Sequence, residues 1–210
     1  RGDGEGLRGQ RPRPREGHRG TPERRRVPAG ARDGDRHVDR AVTLVGTGGK
    51  ADGVAGTYEG DVLVGRPVTI TGAGRETTEL RGTSIAVTVA QQVTMEHLTV
   101  PAPKTCILQR KGSHLRITDC TIRGAAEDGI GYEPSPETIL EMRDCTVTQT
   151  GDGVDLESTQ GLIVNSTFIA NRDDGLDYDG DACVTCIGCR FADNGDDGIE
   201  IRIATHTQAV

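Results

Sequence analysis

Four segments decide the fold: DCTIRGAAEDGIGYE at 119–133, DCTVTQTGDGVDLE at 144–157, NSTFIANRDDGLDYD at 165–179 and GCRFADNGDDGIEIR at 188–202. In register they place Asp128-Gly129-Ile130, Asp152-Gly153-Val154, Asp174-Gly175-Leu176 and Asp197-Gly198-Ile199 at intervals of 24, 22 and 23 residues. A second column runs in step with the first: DCTI, DCTV, NSTF and GCRF, with HLTV at 97–100 as its first member. Each unit holds two or three short strands joined by turns rich in Gly, Asp and Asn. None contains the ten to twelve residues of helical periodicity that a helical repeat requires. A four-stranded propeller blade needs about 40 residues, more than one repeat supplies. What fits is a solenoid in which each repeat is one coil and equivalent strands stack in parallel about 4.8 Å apart.

Working outward, AGARDGDRHVDRAVTLVGTG at 29–48 and AGTYEGDVLVGRPVTITGAG at 55–74 form a tandem duplication at an offset of 26. Upstream of residue 29 the character changes. The first 28 residues hold nine Arg, six Gly and four Pro, with Leu7 and Val27 as their only aliphatics. Such a segment cannot bury a core and is expected to be disordered. No aromatic is interleaved to stack on bases, so nucleic-acid binding is not expected. The chain carries 30 Gly and no Trp, and its aromatics are Tyr58, Tyr132, Phe168, Tyr178 and Phe191. A globular core built on large aromatics is excluded. No apolar run approaches the roughly 18 residues of a membrane span, so membrane insertion is not expected. The chain begins with Arg and shows no signal peptide, which points to a piece of a larger parent polypeptide.

The segments EDGI, GDGV, DDGL and DDGI, each downstream of an aliphatic-x-x-Cys-Thr-aliphatic strand, resemble right-handed parallel β-helix repeats. GTYEGDVLVGRPVTITGAGRETTELRG at 56–82 is similar to the opening coil of the pectin-lyase-like superfamily, which includes pectin methylesterases and NosD-like proteins. The resemblance covers residues 29–210. It implies an all-β, single-stranded right-handed parallel β-helix of about seven coils, preceded by the basic arm at 1–28 and cut short at its C-terminal end.

Alternation along each strand then assigns the register. Leu98, Cys120, Cys145, Ser166 and Cys189 form one interior column, and Val100, Ile122, Val147, Phe168 and Phe191 the next. After each Asp-Gly, the inward positions are Ile130 and Tyr132, Val154 and Leu156, Leu176 and Tyr178, Ile199 and Ile201. The Gly of each Asp-Gly is expected to supply the left-handed backbone of a tight turn. Cys120 and Cys145 fall on adjacent coils, within the roughly 4.4–6.8 Å that a disulfide spans, and a buried ladder of thiols is the expected outcome. Cys183-x-x-Cys186-x-x-Cys189 resembles the start of a bacterial ferredoxin run but lacks the fourth ligand. The register turns Cys186 and Cys189 inward as small buried hydrophobes, so no metal cluster is expected. His97, His114 and His206 have no partners at ligand spacing and read as surface residues.

The charge singles out one face. Residues 1–40 carry a net of +5 and residues 41–210 a net of −12, and 18 of the acids lie between Glu127 and Glu200. Outward alternation stacks Asp155, Asp177 and Glu200 on successive coils. Glu157 and Asp179 lie two positions along, with Asp174 and Asp197 in the adjoining turn and Arg172 and Arg202 flanking. Carboxylates about 5 Å apart raise one another's pKa unless a cation sits between them, and hard oxygen donors at this density suit Ca2+. Asp155, Asp174, Asp177, Asp179 and Asp197 are the candidate cation ligands. Asp155, Glu157, Asp177, Asp179, Glu200, Arg172 and Arg202 are the candidate contacts to substrate.

No catalytic residues are assigned. The Arg segment with Trp of pectin methylesterases is absent, and so are the His and Lys motifs of polygalacturonases. The expected role is an extracellular, periplasmic or envelope-associated repeat module that contacts polysaccharide, uronate polymers included, along its acidic face. A polysaccharide lyase, uronate epimerase or glycoside hydrolase working at the same ladder is the alternative, and a structural spacer is the third class.

Overall fold

Every described repeat closes into one coil of three short strands. The computed structural model describes residues 47–202 in full and the backbone of Arg24–Arg26. Readings that concern 1–23, 27–46 and 203–210, among them the first copy of the duplication and His206, lie outside the described residues. The first complete coil runs through strands Gly49–Asp52, Gly56–Glu59 and Val62–Val64; the seventh runs through Cys183–Ile187, Arg190–Ala192 and Glu200–Arg202. Equivalent strands pair in parallel with their counterparts one coil away, building three sheets, here A, B and C in chain order round the coil. This is the right-handed parallel β-helix that the repeats imply, and the described residues contain no helix. Among them, none is long and apolar enough to cross a membrane.

Within the arm, the described residues depart from the expected disorder. Arg24–Arg26 forms a strand of sheet A, paired in parallel with Gly49–Asp52. That pairing needs only backbone hydrogen bonds to an open sheet edge, so the absence of apolar side chains does not prevent it.

The core is a set of one-residue columns. Leu98, Cys120, Cys145 and Ser166 are buried in one, and Val100, Ile122, Val147 and Phe168 in the next. Phe168 and Phe191 stack with ring centroids 5.0 Å apart. On sheet A the register aligns Ile70, Met95, Ile117, Met142, Ile163 and Cys186. All six cysteines are free thiols. In the ladder, Cys120 Sγ donates to the Thr118 carbonyl at 3.3 Å and Cys145 Sγ to that of Arg143 at 3.1 Å.

Three expectations about the register are corrected. Ile201 is in register with Tyr178, but Ile199 and Ile201 are 42% and 60% exposed, and Cys186 is exposed while Cys189 is half-buried. They belong to the last described coil, and no described coil stacks on its far side. His97 and His114 each meet a carboxylate on the next coil. His97 Nδ1 lies 2.8 Å from Asp119 on the next coil, and His114 Nε2 lies 3.1 Å from Glu141.

The third correction concerns the Asp-Gly glycines. Gly129, Gly153, Gly175 and Gly198 do not have positive φ. Left-handed residues stand instead in the column His97, Asp119, Asp144, Asn165 and Gly188 between sheets A and B, in the column Gly124, Gln149, Ala170 and Asp193 where sheet B ends, and at Gly112, Ser158 and Gly180 where sheet C ends. Gly at 153 is required by proximity: a Cβ there would overlap the carbonyl oxygen of Gly175 one coil on. Coils can stack at this corner only because backbone lies directly on backbone.

Candidate functional site

The acidic turns occupy the corner between sheets B and C, and that corner changes length along the solenoid. It spans 82–84 and 102–104 in the second and third coils, then widens to 124–129, 149–153, 170–175 and 193–199. The wide corners are held by a buried polar ladder that the sequence reading missed. Thr150 Oγ1 donates to Asn171 Oδ1 at 2.7 Å, and Asn171 Nδ2 donates to Asn194 Oδ1 at 3.1 Å. The signal was present as Thr150, Asn171 and Asn194 at equivalent places in three repeats. Asp152 and Asp174 tie the turns together as well: Oδ1 of each accepts the backbone N–H of the residue one coil on, Asp174 at 3.0 Å and Asp197 at 2.7 Å.

From this corner a seam of carboxylates runs on to the outer face of sheet C. Asp155, Asp177 and Glu200 are in register, as are Glu157, Asp179 and Arg202. One coil earlier the equivalent position is Gly131, where a Cβ would lie 2.7 Å from Asp128 Oδ2. The missing side chain makes room for the Asp128 carboxylate, which therefore extends the seam by one rung. Carboxylate oxygens of Asp174, Asp177 and Glu200 lie within 4.8 Å of one another, and so do those of Asp173, Asp174 and Asp196. Asp155, Asp179 and Asp197 fall outside these two groups.

The electrostatics set this seam apart from the other faces. On sheet A, Glu141 accepts from Arg116 Nε at 2.8 Å, which holds its carboxyl below the usual range. Elsewhere Glu79 meets Arg81 and Arg123, Glu127 meets Lys104, and Glu133 meets Arg110. Asp128, Asp152, Asp155 and Glu157 have no ion-pair partner among the described residues. Burial, followed by the charges of Asp128 and Glu157, pushes Asp155 up to about 7. Burial and the charge of Asp152 push Asp128 up to about 6. Burial and the charges of Asp173 and Asp177 raise Asp152 as well.

The last rungs carry the one cation that enters the seam among the described residues. Arg202 Nη1 donates to Asp177 Oδ2 at 2.9 Å and lies 3.8 Å from Asp179, and its Nη2 meets Glu200. Asp177 is nevertheless raised, with burial outweighing the arginine. It is 8% exposed, and its Oδ1 is buried without a hydrogen-bond partner. Arg172 does not join the seam: its guanidinium donates to the carbonyl of Ala125, two coils back.

Comparison with known proteins places the fold. A family model described as "Periplasmic copper-binding protein (NosD)" matches residues 63–209. No curated protein sequence matches the chain. A solved structure, ORF18 of Geobacillus virus E2, is similar over 79% of this chain and 46% of its own, at 11% identity and a TM-score of 0.58. That likeness shows the fold alone, and this chain spans under half the length of that protein.

Proposed function

This chain belongs to the NosD family, and on that premise we propose that it is a β-helix module of the cell envelope which holds polysaccharide along its acidic seam, with a hard divalent cation such as Ca2+ between the carboxylates. The family description supports a periplasmic setting. One observation carries the cation: Asp177 Oδ1 is buried and unpartnered beside the carboxylates of Asp174 and Glu200. A buried, unpaired carboxylate oxygen is costly, and a cation ligated by several oxygens removes that cost. Sugar hydroxyls and uronate carboxylates are the ligands that would complete such a shell.

Copper, which the family description names, does not fit this seam. It favours thiolate, thioether and imidazole donors, whereas both metal-sized groups among the described residues are entirely carboxylate. Cys106, Cys120 and Cys145 are buried, Cys183, Cys186 and Cys189 are accessible but lie in neither metal-sized group, and His97 and His114 are each committed to a carboxylate in different places.

Thermal melts with and without millimolar Ca2+ test the seam. Wild type is expected to melt several degrees higher with Ca2+, and Asp177→Ala to remove most of that gain. Identical melts with Ca2+ and with chelator would sink the proposal. Polymer binding is then read by titrating uronate and neutral polysaccharides with Ca2+ and with chelator, where wild type is expected to bind uronate polymers more tightly in Ca2+ and Asp177→Ala to lose that Ca2+-dependent gain.

A further inference from the structure

The step in corner length leaves a second site that the acidic seam does not use. Where the short corners 82–84 and 102–104 meet the longer 124–129, the surface falls into a cleft of about 320 Å3 between Arg81 and Arg123, over Pro101, Ala102 and Gly124. That volume is at the small end of the roughly 300–1,000 Å3 typical of small-molecule sites, enough for one ring-sized group. Its residues sit on successive rungs of sheet B. Arg123 lies opposite Pro101, and the pairing of Glu79 with Thr99 puts Arg81 on the other side of Pro101. The two arginine backbones are therefore about 9–10 Å apart, two strand spacings, with only a compact proline ring between them.

Both guanidiniums are held in place. Glu79, 22% exposed, accepts Arg81 Nη2 at 2.6 Å on one oxygen and Arg123 Nη2 at 2.5 Å on the other. One carboxylate thus fixes two cations, leaving a net charge of +1 among the three. The Nε and Nη1 donors of both arginines have no protein partner among the described residues. The cleft therefore offers two oriented guanidinium edges, the fork geometry that recognises carboxylates, over an apolar floor.

We propose that this cleft binds the carboxylate of one uronate residue, with the sugar ring resting on Pro101. The identity of the sugar rests on the polysaccharide reading above, while the anion chemistry rests on Arg81 and Arg123 alone. The substrate class is thereby narrowed to acidic glycans, held by guanidinium at the narrow corner and by a cation at the seam.

Isothermal titration with trigalacturonate, in chelator so that the seam cation is absent, tests the assignment. Wild type is expected to bind, Arg81→Gln and Arg123→Gln each to bind about tenfold more weakly or worse, as expected for loss of a charge-assisted hydrogen bond, and Arg116→Gln, which removes a positive charge on sheet A outside both sites, to bind as wild type. Pro101→Glu keeps both arginines but sets a carboxylate between them, and is expected to abolish binding. The methyl-esterified trimer is expected not to bind. Unchanged affinity in the arginine variants or in Pro101→Glu would overturn the proposal. So would equal affinity for the neutral ester, equal affinity for inorganic sulfate, or no binding of the trimer in chelator. If uronate polymers bind only with Ca2+ and regardless of the arginines, the seam reading stands and the cleft falls. Arginine-dependent binding in chelator without any Ca2+ effect gives the reverse.

Discussion

Asp155→Asn removes one charge from the uncompensated stretch of the seam while keeping the side chain's shape. Asp155 is held at about 7 against an ordinary 3.8, by burial and by the charges of Asp128 and Glu157. At 1.36 kcal/mol per pH unit that gap corresponds to roughly 4 kcal/mol. The carboxyl is half-buried, with water on one side, and its repulsions are screened, so about half of this, ~2 kcal/mol, is expected to appear in stability. The sign follows from linkage: the fold favours the neutral form, so this contribution is fully present below the unfolded pKa near 4. It is lost as pH rises through about 7. Wild type in chelator should therefore lose stability as pH rises from about 4 to about 7 and change little beyond that. Asp155→Asn should hold a flatter profile across that window and melt about 4–8 °C higher than wild type at pH 8, taking roughly 2–4 °C per kcal/mol for a domain of this size. At or below about pH 4, where the carboxyl is neutral in the folded chain and largely neutral in the unfolded one, the two should nearly coincide. Thermal melts across this range, each with chelator and with Ca2+, provide the measurement. Asp155→Asn melting at or below wild type at pH 8 in chelator, or tracking its pH profile in parallel, would refute the reasoning.

Two further substitutions probe the stacking. Gly153→Ala pushes a Cβ into the Gly175 carbonyl and should destabilise by about 3 kcal/mol or more, as overpacking does when backbone cannot move. Gly124→Ala, at φ +85 but with nothing within 4 Å of its Cβ, should cost only the left-handed penalty of about 1–2 kcal/mol; chemical denaturation separates the two. Tyr132→Phe removes a buried hydroxyl that has no hydrogen-bond partner, and should raise stability by about 1 kcal/mol in the same assay.

The coil repeat was legible because its period is carried by residues with different jobs in step: Cys120 and Ile122 face the core while Gly129 closes the corner. What alternation could not show is where two backbones touch. The Asp-Gly glycines therefore read as left-handed turn residues, although the left-handed positions went to Asp119, Asp144 and Asn165, whose short polar side chains tolerate that region. Asp155, Asp177 and Glu200 were legible as a stack from spacing alone. The place of Asp128 in that stack was not, because it depends on an absent side chain at Gly131 rather than on a matching acid. Arg172 was misplaced for a related reason: its long side chain crosses two coils to a backbone carbonyl, a reach that one-coil periodicity does not describe. The cleft at Arg81 and Arg123 was hidden because it arises from unequal corner lengths, which the regular intervals of the Asp-Gly column obscure.

The pairing of every described coil with its immediate neighbours has a consequence for how the molecule forms and how it can change. Each strand finds its partner about one coil away in sequence, so ordering each successive turn closes a loop of similar length at a similar entropic cost. Assembly can then start at any well-packed pair of turns and spread in both directions, as in other quasi-one-dimensional chains. A lesion at Gly153 should open amide protons to exchange in its own and the adjoining turns while distant ones keep theirs. The same locality leaves the outer face free to vary turn by turn: charge can be added, removed or inverted on one rung without renegotiating the rest of the stack.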